Sequence, residues 1–407
     1  MAKDGILSGI RVIDCATYIA APHAASVLSD FGAEVLKIER PPGGDLWRLF
    51  PHLPGTGKSE LNWSWILSGR NRKSVAIDLA QPEGREVLVK LVRTADVFVS
   101  NYQVEQLKKF RITWDDLSAI NPRLIYAHLS GYGETGEDAD LPAFDALAYW
   151  ARSGLLGTIR GQDGSIAGAR AGIGDNPTAM SLFGAIMLGL YNRERTGKGA
   201  KVGTSLLASG AWANSCDLQV KLLGGSFPER TPGQAPANPL ILGYLSSDQK
   251  VFFIVLLDPD HEFPRLCEAL GISEIGKDPM FSTIAARAEH AAELYGILQS
   301  QFESRTLGEL KKLFKQFDIK WSSVPTLDDV IGDAQMRECG AFVSHEVPGH
   351  GEIETINSPV FVDGVVKRRP QAAPEVGSDT RGVLRSIGYS DDAIDAMIKR
   401  GVAIARD

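Results

Sequence analysis

The sequence lacks the features that mark several classes of protein. Its 407 residues include four cysteines, whose spacing matches neither a zinc motif nor the disulfide framework of a small secreted domain. The formal net charge of −7 leaves no broad basic face for a nucleic acid or a membrane surface. No run reaches the roughly 18 apolar residues of a membrane span, and the first residues carry charges and glycines where a signal peptide needs an apolar core. We therefore expect a cytoplasmic protein with reduced thiols and with no nucleic-acid or membrane partner.

Metal-binding and phosphate-loop motifs are missing as well. The seven histidines show no paired-ligand spacing, so no metal site is expected. The segment PGTGKS (54–59) ends like a phosphate loop, but the glycine needed five residues before Gly57 is replaced by His52, and we expect a mobile loop. His23 and His128 stand near the ends of predicted strands, where local packing or hydrogen bonding is the favoured role.

What the sequence does contain is a repeated alternation of strand and helix patterns. IRVID (10–14) and AEVLKIER (33–40) are typical of buried strands, and the helix pattern between them ends at Gly32. Further strand patterns occur in SVAIDL, DVFVSN and LIYAHLS, with a helix pattern in PEGREVLVKLVRTA. The alternation predicts an α/β fold with a parallel sheet and helices on its faces.

The pattern changes in the middle of the chain. Proline and glycine are concentrated in residues 224–239, which we interpret as a linker. The segment ILGYLSSDQKVFFIVLL then predicts a hairpin, and three helix patterns follow it up to about residue 325. A smaller α+β domain is therefore expected after the linker, because the chain is longer than one core usually organises.

Two adjacent segments before the linker stand out. Residues 177–193 form a long, largely apolar helix pattern, which we expect to be buried in the protein or in a subunit interface. Just before it, GQDGSIAGARAGIGD (161–175) contains five glycines and two aspartates. Asp-Gly is first of all a turn signal, so a reactive carboxylate in this segment is a second possibility.

Basic residues stand near several strand ends and could converge on the phosphates of a nucleotide-containing ligand. For any one of them alone, a solvated surface charge is the simpler interpretation. These residues are Arg40, Arg70, Arg72, Lys73, Lys108 and Lys109.

The opening GILSGIRVIDCATYIAAPHAASVLSDFGAEVLKIERPPGGD resembles that of the class III (CaiB/BaiF) CoA-transferase family, which also includes 2-methylacyl-CoA racemases. The resemblance continues, in order, through GRNRKSVAIDLAQPEG, TADVFVSNY, LSGYGETG, GIGD, RTGKGAKVGTSLL and PEVGSDTRGVLRSIGY. It implies an interlocked homodimer with a Rossmann-like large domain built from both ends of the chain and a small middle domain. On this basis we expect residues 1–223 in the large domain, 224–325 in the small domain, and 326–407 returning to the large domain.

The family uses an aspartate as a covalent nucleophile, and the resemblance implies Asp163 for this role. Asp163-Gly164 stands twelve residues before Asp175 of a Gly-Asp pair, although Ser165 and Ile166 replace the two prolines of the family pattern. Asp145 and Asp175 are the alternatives. Each could instead cap the helix that follows it, and for Asp175 we favour this structural role.

The resemblance implies CoA transfer from an acyl-CoA donor to a carboxylic acid acceptor, through an aspartyl mixed anhydride and an aspartyl-CoA thioester. A racemase would need a His-Asp pair where this chain has Phe144-Asp145, and it would use Asp145 and Asp175. The missing histidine favours transfer. A CoA-binding paralogue without turnover is a third hypothesis.

The resemblance also implies contacts to CoA, which would act as substrate and carrier without a metal. CATYIAAP, DLPAFDALAYWARSGLLGT and ANPLILGY are more similar to the branch that moves CoA onto 2-hydroxy acids such as phenyllactate or hydroxyisocaproate, and NPLILGY (238–244) is expected to be a substrate-covering loop. The implied CoA-binding residues are Tyr18, Ile19, Ala20, Arg40, Arg72, Lys73, Asn101, Tyr102 and Lys109.

Overall fold

The computed structural model describes residues 5–159, 165, 166, 168, 170–227 and 236–406. The strands among these residues are β1 (Arg11–Asp14), β2 (Glu34–Glu39), β3 (Arg72–Ile77), β4 (Val97–Ser100), β5 (Ile125–Ser130), β6 (Ala200–Ser205), β7 (Ile241–Leu245), β8 (Val251–Val255), β9 (Trp321–Ser323), β10 (Phe342–Val347), β11 (Gly351–Ile356) and β12 (Ala403–Ile404).

The α-helices of the described residues are α1 (Ala20–Asp30), α2 (Trp63–Gly69), α3 (Pro82–Val92), α4 (Val104–Phe110), α5 (Trp114–Ser118), α6 (Leu155–Thr158), α7 (Asp175–Thr196), α8 (Leu206–Ala213), α9 (Ser215–Leu222), α10 (Pro259–Leu270), α11 (Ile284–Glu289), α12 (Ala291–Glu303), α13 (Leu307–Gln316), α14 (Leu327–Gly332), α15 (Ala334–Glu338), α16 (Thr380–Ser386) and α17 (Asp391–Lys399). Short 3-10 helices cover Leu46–His52, Ile275–Lys277 and Pro279–Phe281, and a π-helix covers Ala146–Arg152.

Seven strands form one sheet in the order β12-β3-β2-β1-β4-β5-β6. Its neighbouring strands are parallel except for β12, which pairs antiparallel with β3. The parallel α/β architecture expected from the alternating patterns is therefore confirmed. Because β1 pairs with both β2 and β4, the strand order reverses at β1. Ligands of open α/β sheets bind beyond the carboxyl ends of the strands at such a reversal. The residues that follow Asp14 therefore lie where a ligand is expected to bind.

Helices cover both faces of this sheet because its central strands alternate between two apolar cores. Val12 and Ile125 belong to a core shared with α1 and α7. Ile13 and Phe98 belong to a second core, shared with α3, α16 and α17. Burial of each such side chain stabilises the fold by about 1.5–3 kcal/mol. The two cores therefore hold the ends of the strands rigidly in place.

The long apolar helix expected over residues 177–193 is α7. It buries one face, where Gly189 approaches the sheet so closely that a Cβ on it would lie 2.9 Å from Cγ2 of Ile125. Leu188 and Tyr191 remain 71% and 63% exposed. The expected burial is therefore confirmed for one face of α7 within a single chain, and apolar groups remain exposed elsewhere on the helix.

Contacts divide the described chain into two units. The larger unit contains the described residues up to 227 together with residues 340–406, and the smaller unit contains residues 236–339. In the smaller unit β7, β8 and β9 form an antiparallel sheet, which confirms the expected hairpin. The substrate-covering loop expected at residues 238–244 largely belongs to strand β7 instead, because the backbone from Ile241 onward pairs with β8.

The pattern of the tail from Pro374 predicts two short helices separated by Gly388, and the structure has them as α16 and α17. Ser390 caps α17, since its hydroxyl oxygen accepts a hydrogen bond from the backbone N–H of Ala393 at 3.3 Å. None of the described helices is long and apolar enough to cross a membrane.

Candidate functional site

The residues after β1 form a turn at the carboxyl edge of the large sheet. Within it Tyr18 has a φ of +65°, a left-handed conformation that is rare for a large side chain. Its backbone N–H donates to Oδ1 of Asp45 at 3.0 Å. Burial and the negative charge of Asp45 raise the pKa of the Tyr18 hydroxyl. Of the predicted CoA-binding residues in this turn, Tyr18 is partly exposed, whereas Ile19 and Ala20 are buried.

Three further predicted residues lie at the same edge. Arg40 directly follows β2 and is exposed, and Asn101 and Tyr102 directly follow β4. The Asn101 side chain binds the turn itself: its Oδ1 accepts from the backbone N–H of Thr17 at 2.9 Å, and its Nδ2 donates to the Thr17 carbonyl at 2.8 Å. The structure therefore brings Tyr18, Arg40, Asn101 and Tyr102 to one edge, with the amide of Asn101 already used by the protein.

Arg72, Lys73 and Lys109 are placed differently. Arg72 is buried at the start of β3, where its guanidinium lies 2.6 Å from Oδ2 of Asp14, so it offers no exposed charge to a phosphate. Lys73 is at the amino-terminal end of the parallel strands, 2.7 Å from Oε1 of Glu34. Lys109 is exposed in the last turn of α4. The expectation that these basic residues converge with Arg40 is wrong for Arg72, because its guanidinium is buried against Asp14, and for Lys73, because its side chain pairs with Glu34 at the opposite edge of the sheet.

A buried cluster of charged side chains packs against the turn that follows β1. The ammonium group of Lys37 is fully buried, 2.8 Å from Oδ2 of Asp45 and 3.5 Å from Oδ2 of Asp14. Burial alone would lower the pKa of Lys37, but the two carboxylates raise it above its usual value. Sequence reasoning missed this cluster, although a lysine in the middle of the apolar strand AEVLKIER was a signal for it.

A second acidic group lies at the start of the long helix α7. Asp145 is 5% exposed, and its Oδ1 accepts from the backbone N–H of Ala146 at 2.8 Å. Its Oδ2 accepts from the backbone N–H of Gly174 at 3.1 Å. The capping role expected for Asp145 is confirmed, and the same side chain also fixes the residue before Asp175.

The capping role favoured for Asp175 is wrong. α7 begins at Asp175 with Gly174 as its N-cap, and no side-chain hydrogen bond is made from the cap position. Asp175 has helical backbone geometry as the first residue of the helix, whereas a capping side chain belongs to the flanking residue. Its carboxyl group is partly buried in the first turn of α7.

The carboxyl group of Asp175 has an unusual electrostatic environment. Burial and the nearby negative charge of Asp145 raise its pKa to about 7. Carboxyl groups with such shifts are concentrated at functional sites, because an unpaired buried charge is costly to a protein that does not use it. The N-terminus of α7 lies beside it and favours negative charge.

Both histidines near strand ends make local hydrogen bonds, as expected. Nδ1 of His23 lies 2.7 Å from Oδ1 of Asn176, which ties α1 to the first turn of α7. Burial, with the positive charge of Arg72, lowers the pKa of His23 to about 4, so this ring is neutral at pH 7. Nδ1 of His128 lies 2.6 Å from Oε1 of Glu134.

An aromatic pair completes the site. The rings of Tyr18 and Phe144 meet edge to face with centroids 5.5 Å apart, and Phe144 directly precedes Asp145. Gly172 lies beside Ile19, where a Cβ would be 3.6 Å from Cδ1 of the isoleucine. The turn after β1, the Phe144-Asp145 pair and the start of α7 therefore meet in one place.

The profile of CoA-transferase family III matches residues 7–380. The chain belongs to CoA-transferase family III. It is 29% identical to a cinnamoyl-CoA:phenyllactate CoA-transferase of Clostridium sporogenes, over 97% of this chain and 96% of that protein. It is 30% identical to an (R)-2-hydroxy-4-methylpentanoate CoA-transferase of Clostridioides difficile, over 96% and 97%. A CaiB/BaiF family protein from Brucella suis has a similar structure, with a TM-score of 0.80 at 25% identity over 95% of this chain and 100% of that one.

The family identified from the sequence is therefore confirmed, and this chain is a CoA-transferase of family III. Its relatives support CoA transfer between an acyl-CoA and a carboxylic acid as the general activity, with CoA as a substrate. The described residues contain no group of three or more His, Cys, Asp and Glu side chains that could hold a metal ion. Asp163 lies outside the described residues.

Proposed function

We propose that this family III enzyme transfers CoA from an acyl-CoA to a carboxylic acid through a covalent intermediate on Asp175. The observation that carries the proposal is the placement of this carboxyl group, which lies at the first position of α7 beside Asp145 with a pKa raised to about 7. Burial disfavours the concentrated negative charge of the carboxylate, and attack on a carbonyl carbon spreads this charge over more atoms. A partly desolvated carboxylate is therefore a better nucleophile than a solvated one.

The proposed reaction has four steps. The Asp175 carboxylate attacks the thioester carbonyl, which forms a mixed anhydride and releases CoA as its thiolate. The thiolate attacks the aspartyl carbonyl, which forms an aspartyl-CoA thioester and releases the donor acid. The acceptor carboxylate attacks this thioester, forms a second anhydride and again releases the thiolate. The thiolate then attacks the acceptor carbonyl, which yields the new acyl-CoA and restores the carboxylate, so the energy of the thioester is retained throughout.

The surroundings of Asp175 suit this chemistry. Each step develops negative charge on a carbonyl oxygen, and the N-terminus of α7 provides a positive partial charge beside it. Asp145 holds the backbone N–H of Gly174 at 3.1 Å and so fixes the residue next to the nucleophile. In this pair the Asp145 carboxylate positions the backbone of Gly174, and the Asp175 carboxylate reacts with the acyl group.

The sequence hypothesis assigns the nucleophile to Asp163, and one experiment separates the two aspartates. Hydroxylamine converts an aspartyl anhydride or thioester into a stable hydroxamate when the enzyme is incubated with an acyl-CoA. Trypsin cleaves after Arg160 and Arg170, so Asp163 and Asp175 are recovered in different peptides. Mass spectrometry of the digest then identifies the aspartate that carries the acyl group.

We expect the hydroxamate in peptide 171–193. We also expect Asp175→Asn to lower kcat by about 10³-fold or more, while the matched variant Asp163→Asn transfers CoA at a rate close to that of the native chain. A hydroxamate in peptide 161–170, or full activity of Asp175→Asn, would assign the nucleophile to Asp163 instead.

The racemase hypothesis is the alternative function, because a racemase would use the Asp145–Asp175 pair. Both oxygens of Asp145 already accept backbone hydrogen bonds, from Ala146 and Gly174, and Phe144 stands where a racemase needs a histidine. These contacts suit a positioning role better than proton transfer. Deuterium incorporation at the acyl α-carbon without any acceptor acid would support racemisation and oppose transfer.

We infer that the acids exchanged have an apolar body. The Tyr18 and Phe144 rings pack on each other, Phe144 directly precedes Asp145, and neither ring carries a charge that would pair with a second carboxylate. Two relatives are named for phenyllactate and for (R)-2-hydroxy-4-methylpentanoate. A panel of acceptor acids should therefore give higher kcat/KM for phenyllactate than for oxalate or glutarate, and the reverse order would contradict this inference.

We further propose that the chain acts as a homodimer, of the interlocked kind that the family resemblance implies. Several large apolar side chains between the start of α7 and residue 223 are exposed, and such groups often belong to an interface with another protein chain. They include Leu188, Tyr191, Trp212, Leu222 and Leu223.

A further inference from the structure

The turn between β1 and α1 is held by side chains from three other strand ends and loops. The N–H and C=O of Thr17 are both bonded to the Asn101 amide, at 2.9 and 2.8 Å. The carbonyl of Ala16 accepts from Nζ of Lys37, and the N–H of Tyr18 donates to Oδ1 of Asp45 at 3.0 Å. These consecutive backbone groups are therefore satisfied by side chains rather than by a ladder or a helix.

This arrangement accounts for the conformation of Tyr18. A tyrosine at a φ of +65° is strained, and such strain persists only where the surroundings over-determine the backbone. Strained residues of this kind are concentrated at functional sites, and here the strained residue places its ring against Phe144, 5.5 Å away, beside Asp145.

The anchoring groups of Lys37 and Asp45 cannot themselves reach a substrate. Lys37 is 0% and Asp45 3% exposed, and their charged atoms pair with each other at 2.8 Å. Asp45 also accepts from the backbone N–H of Trp47 at 2.9 Å. The ion pair contacts the turn at the Ala16 carbonyl and at the N–H of Tyr18.

We propose that Asn101 and the Lys37–Asp45 ion pair are positioning residues, which hold the turn so that the Tyr18 ring forms a fixed wall beside the reacting carboxyl group. The proposal rests on the proposed function, since it assumes that acyl transfer takes place at the start of α7. It gives Asn101 a role other than the expected contact to CoA, since both polar atoms of its amide are bonded to Thr17.

A double-mutant cycle tests this proposal. Asn101→Ala releases the turn, and Tyr18→Gly removes the ring while accepting a positive φ without strain. Asn101→Ala should lower kcat by about 10- to 100-fold and change the Kd of free CoA by less than about 3-fold. In the Tyr18→Gly background the same substitution should have little further effect, because the ring that it positions is already gone. Multiplicative losses in the double variant, or a loss of CoA affinity equal to the loss of kcat, would overturn the proposal.

Two further measurements keep the test decisive if Asn101→Ala is poorly folded. Asn101→Gln retains an amide that could still contact CoA but moves it away from Thr17, so positioning predicts a loss as large as that of alanine. Amide hydrogen exchange at Thr17 and Tyr18 should be faster in both variants, and unchanged in Gln103→Ala, whose amide bonds to Asp140 instead. Near-native kcat in Asn101→Gln, or unchanged exchange, would contradict the proposal. Exchange does not depend on which aspartate reacts, so this failure is distinct from a hydroxamate found on Asp163.

Discussion

Two carboxyl groups meet at the start of α7 in different surroundings. Asp145 accepts hydrogen bonds from two backbone N–H groups, those of Ala146 and Gly174. Burial and the charge of Asp145 raise the pKa of Asp175 to about 7. Neighbouring carboxyl groups whose environments differ in this way commonly divide two roles between them, and the roles proposed for this pair are positioning and nucleophilic attack.

The pH dependence of the reaction follows from this pKa. Only the ionised carboxylate attacks, so kcat/KM for an acyl-CoA should be low at acidic pH, rise through about pH 7 and then level off. Asp145→Asn removes the neighbouring negative charge and should move the midpoint to lower pH. Rate profiles of both proteins measure the shift.

The control for this prediction removes the same charge elsewhere. Asp115→Asn, on the exposed surface of α5, should leave the midpoint where the native chain has it. A midpoint that stays in place in Asp145→Asn would show that Asp145 does not set the titration of the reacting group.

At the scale of secondary-structure elements, the start of α7 depends on one close contact. Gly174 packs directly on Tyr149, so that a Cβ on the glycine would lie 2.7 Å from Cγ and 2.9 Å from Cβ of the tyrosine. The Cβ of Tyr149 is part of its own rigid attachment and cannot rotate away. The glycine therefore sets how closely α7 approaches the π-helix that Asp145 caps.

Substitution of this glycine should displace the first turn of α7. We expect Gly174→Ala to lower the free energy of unfolding by about 1–3 kcal/mol and to lower kcat by more than this loss of folded protein explains. Gly184→Ala is the matched control in the same helix, because a Cβ there meets no atom within 4 Å. It should be neutral or stabilising by up to about 1 kcal/mol. Urea unfolding and steady-state kinetics of both variants measure the difference, and equal behaviour of the two would disprove the contact's role.

At the scale of the whole molecule, the larger unit exposes large apolar side chains on α7 and α8. Leu188 and Tyr191 on α7 are exposed, and Trp212 on α8 is 82% exposed. Surface of this kind marks an interface in soluble proteins, because water penalises large contiguous apolar patches. The sequence had left open whether α7 is buried in the protein or between subunits, and the fold assigns one face to the protein alone.

Hydroxyl-radical footprinting measures whether a partner subunit covers the exposed apolar side chains of α7 and α8. In a homodimer that uses this surface, Tyr191 and Trp212 should be oxidised slowly although both are exposed in the single chain. Met280, 40% exposed in the smaller unit, serves as a control for reagent access. Light scattering should give twice the mass of one 44.0 kDa chain. Rapid oxidation of Trp212 together with a monomer mass would disprove the proposal.

Much of the fold could be predicted because its signals are local. The alternating patterns identified β1, β2, β4 and β5, since strands buried on both faces are almost continuously apolar. The pattern of ARAEHAAELYGILQSQFE predicts one helix, whereas the structure divides it into α11 and α12 at His290, whose φ is −101° and ψ 28°. The site was less predictable, since Asp163 and Asp175 are both plausible in a glycine-rich segment.

The sequence alone determined the family, the parallel α/β class and the set of candidate aspartates, because periodicity and motif order are properties of the chain itself. Only the tertiary structure decided that Asp175 stands beside Asp145, that Arg72 is buried, and that Asn101 binds Thr17. The physical reason is that burial and charge act through space. The pKa of a carboxyl group depends on neighbours that are 30 residues away along the chain, and no local pattern encodes which of them the fold will bring near.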